Sequence, residues 1–379
     1  MQRSLPAAER AVELAPSDAD AHIARAAVLG LSGSASQSAA ELEQAIALRP
    51  AHYYLWLNLG MLRDQAEDSA GALSAFNESV RLAPFYALPR WQRGNLLVRM
   101  GRYDEAFADL NQAARSNPEL IPSLIDLAWG LAKGNINLTE QLAQINTGVM
   151  HTAFARFLAR HGKAQEALEQ FRAAGAIKAE VRRELVEQLL AKKAFSEAFE
   201  IWNNNARSQG NEHVSPSIYD GGFEGPLSFD EGGFGWQLPR GLQAISMSLD
   251  SSQPNSGSKS LRIEFGGDSN SGSPLLSQLI LVEPTKRYRI NFAARSHDIV
   301  TGGLPIAIVQ DASGDLKPLG RSAPLSSGST DWRVVSFEFT TTATTSAVVL
   351  SLQREACTTA PCPIFGSISL DSFSVEQLK

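Results

Sequence analysis

The chain has 379 residues, 44% of them hydrophobic and 20% charged, which is enough for two or three domains and too apolar for a disordered chain. Its formal net charge of −6, with no clustered basic stretch, argues against nucleic acid or an anionic membrane surface as a partner. No uninterrupted apolar run approaches the roughly 20 residues that cross a bilayer, and MQRSLPAAERAVELAP lacks the basic start and apolar middle of a signal peptide.

From the N-terminus the dominant signal is a fixed period. Pro16, Pro50, Pro84 and Pro118 stand 34 residues apart, each closing a helical run that ends ELAP, ALRP, RLAP or RSNP. Gly60 and Gly94 share that spacing, as do Ala72 and Ala106, and Phe76 and Leu110. The pattern resembles the tetratricopeptide repeat, and residues 53 to 86 fit it nearly throughout, with Trp56, Leu59, Gly60, Ala72, Phe76 and Pro84. Small residues at Gly60 and Ala72 let the two helices of a repeat approach closely. Proline ends the second helix because it has no N–H and disfavours helix in the residue before it. About six units are expected from residue 19 to about 206, the fourth degenerate across NINLTEQLAQINTGV. Residues 1 to 18 supply only a second helix, which reads either as a cap or as the start of a piece of a longer protein.

The resemblance implies an α-solenoid over residues 1 to 206 with a concave groove for a protein or peptide partner. The first-helix positions that would line it include Tyr54, Leu57, Met61, Trp91, Val98 and Trp129, an apolar set of the kind that anchors peptides. The alternative is that these side chains pack against neighbouring repeats or against the chain's own C-terminal domain.

Residues 207 to 217 are polar with Gly and Pro and read as a linker. Beyond them the apolar period changes from 3.6 to 2. LRIEF places Leu261, Ile263 and Phe265 on one face, and YRINFAAR, VVSFEF and AVVLSLQ alternate in the same way, which predicts an antiparallel β-sandwich over 218 to 379. A first strand is expected at 218 to 224 and a returning strand at Trp236. The glycines of YDGGFEGPLSFDEGGFGW are not a phosphate cradle, because neither a helix nor a lysine follows them.

DGGFE, the GW pair at 235 to 236, GSKSLRIEF, QLILVEPTKRYRINFAARS, TDWRVVSFEFT and GSISLDSFSV come in an order similar to carbohydrate-binding modules with a galactose-binding-like jelly roll. The fold class is thus multidomain, α then β. The resemblance implies glycan binding, and a structural calcium held by Glu224 and Asp371; the other reading is that the two carboxylates accept loop N–H bonds. Phe229, Phe234 and Phe365 are the loop rings that could stack on a sugar, while Trp236, Trp332 and Tyr288 are expected to pack the core. Cys357 and Cys362 in CTTAPC are either a loop-pinning disulfide, which implies an oxidising compartment, or two free thiols.

No catalytic constellation stands out. The six histidines are scattered, and there is no HExxH and no GxSxG. The expectation is a non-catalytic scaffold that joins a protein partner to a glycan or another surface, outside the cytoplasm in a bacterial cell envelope, with a cytoplasmic setting as the alternative and no cofactor beyond the structural calcium. Two rivals remain: the soluble tail of a membrane enzyme that polymerises or ligates surface polysaccharide, and a β-domain whose role is to cap the solenoid.

Overall fold

Each proline of the 34-residue period sits two residues beyond a helix end. The computed structural model describes residues 5–208, 215–227, 229, 232–239, 241, 242, 244–268, 272–357 and 361–379. Residues 209–214 of the expected linker, His213 among them, lie outside the described residues. Helices α1 (Leu5–Leu14), α3 (Ala35–Leu48), α5 (Ser69–Leu82) and α7 (Tyr103–Ser116) stop before Pro16, Pro50, Pro84 and Pro118. Between them lie the first helices of the repeats, α2 (Ala19–Leu31), α4 (Tyr53–Gln65), α6 (Ala87–Arg99) and α8 (Ile121–Leu131). The fourth repeat continues with a short α9 (Ile136–Ala143), followed by α10 (Gly148–Arg160), α11 (Ala164–Ala174), α12 (Ala179–Ala191) and α13 (Phe195–Ser208).

The described residues divide into two compact units, one up to Phe154 and one from Ala155 to Lys379. Secondary structure changes from helix to strand only after Ser208, so the last helices belong to the compact unit of the strands. In the first unit the period has the packing role expected of it. A Cβ on Gly60 would lie 2.5 Å from the Phe76 ring, and one on Gly94 would lie 2.7 Å from Leu110. The helices of each pair therefore touch at these glycines. Asp68 caps α5 by accepting from the Gly71 N–H at 2.9 Å.

Among the described residues of the second unit, nine strands form two sheets. They are β1 (Ile245–Asp250), β2 (Ser260–Asp268), β3 (Leu276–Leu281), β4 (Arg287–Thr301), β5 (Pro305–Asp311), β6 (Pro318–Arg321), β7 (Arg333–Thr340), β8 (Ala347–Arg354) and β9 (Pro363–Leu378). One sheet has the order β1-β2-β9-β4-β7 and the other β3-β8-β5-β6. The alternating residues predicted to face inward do so: Leu261, Ile263, Phe265, Ile290, Phe292, Phe337, Phe339, Val348, Leu350 and Leu352 share one core.

The opening of the domain is corrected. Residues 218–224 form no strand: Asp220 and Phe223 have φ of 45° and 55°, and the Phe223 N–H donates to the Asp220 carbonyl at 3.1 Å. This turn drops Phe223 into the core, where it stacks on Trp236 with ring centroids 5.2 Å apart. Instead of a returning strand at Trp236, a single bridge joins Gln237 to Ser277.

The same unit fixes α13 against the sandwich. Phe199 and Trp202 hold Phe234 between them, with centroids at 5.0 and 5.7 Å, and Lys193 Nζ donates to the carbonyls of Ser313 and Gly314 at 3.0 Å each.

Candidate functional site

The groove positions divide by depth. Tyr54 is 47% exposed, and Met61, Trp91, Val98 and Trp129 are half-buried. Leu57 is fully buried among Ala72, Phe76 and Leu96, so it is a contact between repeats and not a groove residue. Its correction has a simple cause. The fifth place of a first helix lies flush with the next repeat, and α6 covers it through Leu96.

Among the predicted sugar platforms, Phe365 is 50% exposed on β9 and Phe229 is 39% exposed. Phe229 lies on a shallow open cavity of about 450 Å³ with Pro239, Leu242, Ile245 and Met247. Phe234 is corrected: at 2% exposure under Phe199 and Trp202 it cannot meet a ligand. Trp332, expected in the core, is half-buried instead, with the Arg295 guanidinium 5.3 Å from its ring centroid. Trp236 and Tyr288 are buried as expected.

Register brings together residues that the sequence reading passed over. With Leu261, Ile263, Ile368 and Leu370 in the core, their neighbours Arg262, Glu264, Ser367 and Ser369 point out of the five-stranded sheet. Pairing sets Ser246, Glu264, Ser367 and His297 in one row across the strands. Ser248, Arg262, Ser369 and Arg295 form the next. At the end of the face Phe365 stands between Gly266 and Val300. Ser367 and Ser369 face outward yet are only 6% and 4% exposed. They form the floor of a trough whose walls are the longer side chains beside them. Arg262 lies 2.9 Å from Glu264 and 3.8 Å from Asp250 through its terminal nitrogens, while its buried Nε has no partner. The signal was present in LRIEF and GSISL as the polar letters between the apolar ones; which strands lie side by side was not.

Glu224 and Asp371 anchor the loop between β1 and β2. The Asn255 and Ser256 N–H groups donate to Asp371 Oδ2 at 2.8 and 2.9 Å. Ser258 N–H donates to Glu224 Oε1 at 2.8 Å, Lys259 N–H to the same oxygen at 3.3 Å, and the Ser258 hydroxyl to Oε2. The Ser258 hydroxyl and N–H hold the Glu224 carboxyl below the usual range. The anchored loop carries Gln253, whose carbonyl accepts from Trp332 Nε1 at 3.0 Å and whose side chain accepts from Arg295.

As arranged, the pair does not fit the calcium that the resemblance implies. Every carboxylate oxygen of the two residues takes an N–H or O–H bond, with Ser372 N–H on Asp371 Oδ1 completing the set, and a cation needs oxygen ligands where this loop presents donors. Among the described residues, no group of three or more His, Cys, Asp or Glu side chains could hold a metal.

Cys357 and Cys362 are joined, with Cα atoms 5.7 Å apart. Beside them the fully buried Arg354 donates to the Thr301 hydroxyl at 2.9 Å and to the Cys362 carbonyl at 2.8 Å.

A family model described as a carbohydrate binding domain matches residues 215–360, and two models of the tetratricopeptide repeat match residues 32–87 and 90–120. No curated protein matches the chain. Among solved structures, the crystal structure of MamA is similar at 15% identity and a TM-score of 0.31, covering 45% of this chain and 84% of its own. A CBM4 domain ("CBM4 structure and function") is similar at 15% identity and 0.32, covering 42% and 99%. The CBM22-1 xylan-binding domain from Paenibacillus barcinonensis Xyn10C stands at 15% and 0.29, covering 44% and 94%. The chain carries tetratricopeptide repeats followed by a carbohydrate-binding domain, both non-catalytic kinds of domain. No described helix is long and apolar enough to cross a membrane.

Proposed function

We propose that the protein is a non-catalytic adaptor that holds a glycan chain in the trough of its five-stranded sheet and a protein partner in the groove of its solenoid. The observation that carries the glycan reading is the trough itself. Its floor is made of serine hydroxyls, each able to donate and accept. Arg262 and Glu264 stand along one side and Arg295 and His297 along the other, matching the mixed donors and acceptors of sugar hydroxyls. Phe365 offers a flat apolar face for the C–H side of a pyranose ring at the trough's end. The Cys357–Cys362 disulfide supports an oxidising, extracytoplasmic setting such as a bacterial cell envelope.

A glycan array probed with the whole chain tests this. Binding to a neutral or mildly acidic polysaccharide is expected, and Arg262→Ala or Phe365→Ala should each weaken it by about tenfold, the worth of one good polar contact or stacked ring. The melting temperature should stay nearly unchanged, since neither side chain belongs to the sandwich core. An array with no ligand, or variants that bind as well as the parent, would sink the assignment.

A further inference from the structure

The degenerate fourth repeat leaves a cavity that the groove does not explain. The second helices α3, α5 and α7 have 14 residues each, whereas α9 has 8 and ends at Gln144 in the left-handed conformation, φ 50°. A helix six residues shorter ends about 9 Å early, and the last turn of α7 is left without a full-length neighbour. The result is a cavity of about 320 Å³ within the first unit. Its apolar lining includes Ala114, Ile121, Ala143, Val149 and Met150.

Of the five polar side chains in that lining, Asn111, Arg115, Gln144, Asn146 and Thr147, the first two set its chemistry. Each of the other nine arginines between residues 5 and 154 has a carboxylate oxygen within 4.0 Å. Arg115 has none among the described residues; its guanidinium donates to the neutral Gln144 Oε1 at 2.6 Å. An arginine fork with no counter-charge, set on an apolar wall, suits a carboxylate that enters with an apolar group. Asn111, buried at the same cavity, donates its amide hydrogens to the carbonyls of Phe107 and Leu142 at 2.7 and 2.8 Å. What remains for it to offer a ligand is its carbonyl oxygen, an acceptor for an N–H.

We infer that this cavity binds the carboxy-terminus of a peptide whose last residue is apolar. The side chain fills the space between Ile121, Ala143 and Met150, the terminal carboxylate pairs with Arg115, and the last N–H meets Asn111 Oδ1. A free fatty acid would satisfy Arg115 but would bring no N–H for Asn111 Oδ1.

Fluorescence anisotropy with the whole chain tests this, using fluorescein-labelled Gly-Ser-Gly-Ser-Gly-Xaa peptides in which Xaa is Phe, Leu or Val, each as free acid and as C-terminal amide. Saturable binding is expected for at least one acid, with its amide weaker by about tenfold, the worth of a charge-assisted hydrogen bond. Arg115→Met should weaken the acid to the level of the amide. Val149→Glu, a rim position 61% exposed, should repel the acid without altering the melt. Acid and amide binding alike, an unaffected Arg115→Met, no binding by any acid, or decanoate binding where the peptides do not would each overturn the proposal.

Discussion

Glu41 shows how much a single side chain can hold in the solenoid. Its carboxylate accepts from His22 Nδ1 at 2.8 Å and from Arg25, and His22 Nε2 in turn meets the Pro16 carbonyl at 2.9 Å just beyond the end of α1. Burial pushes the Glu41 carboxyl up, but the hydrogen bonds from Arg25 and His22 outweigh it and leave the group below the usual value of 4.5. A carboxyl lowered on folding adds stability that is present above its unfolded value and lost as the pH falls through the folded one. The melting temperature of the parent should therefore drop between neutral pH and pH ~4 by more than that of Glu41→Gln, whose amide does not titrate. Equal drops in thermal melts at the two pH values would remove Glu41 from this role. Nothing in HIARAAVLG pairs with SAAELEQ on paper, because partners 19 residues apart meet only once α2 and α3 fold back on each other. At the same scale Leu57 and Tyr54 look alike as apolar groove letters, and only the arrival of α6 separates the buried one from the exposed one.

Among the elements, β9 and the loop before β2 govern the candidate site together. Asp371, fully buried on β9, holds the loop by two backbone N–H groups, and Glu224 holds its far end. Gly257 makes the loop possible: at φ 62° it turns tightly, and a Cβ there would lie 2.0 Å from Glu224 Oε1. Asp371→Ala would leave the two N–H groups without acceptors, at a cost on the order of 1–3 kcal/mol each if they stay unmet. Urea unfolding should show that loss, and glycan affinity should fall with it because Gln253 no longer braces Trp332 and Arg295. Since N–H donors satisfy the carboxylates, EDTA should leave the melting temperature of the parent unchanged. A fall restored by calcium would mean that the loop turns its carbonyls inward around a cation. The strands themselves were legible from period 2, for burying one face of a strand forces alternation. The initial strand was not, because its Asp220 and Phe223 take positive φ for the sake of core packing around Trp236.

In the whole molecule, the second compact unit contains the last helices as well as the sandwich, and the apolar joint within it has a consequence. Phe234 sits between Phe199 and Trp202, and Tyr219 meets Trp202 edge-on at 5.1 Å. A fragment of residues 155–379 should therefore melt above one of residues 215–379, whose rings would be left facing water. If the two fragments melt together, α12 and α13 add nothing to the sandwich. The sequence by itself determined the repeat, the sandwich, the glycines between paired helices and the candidate cystine. Periodicity and small-residue spacing are local consequences of burying one face of an element, so they are written in the order of the letters. The tertiary structure alone decided that Ser367, Arg262 and Arg295 share one trough, that Phe234 is covered, and that Arg115 meets Gln144 at the end of a short α9. Strand order, helix docking and the meeting of distant charges depend on which surfaces close on one another, and no local pattern records that choice.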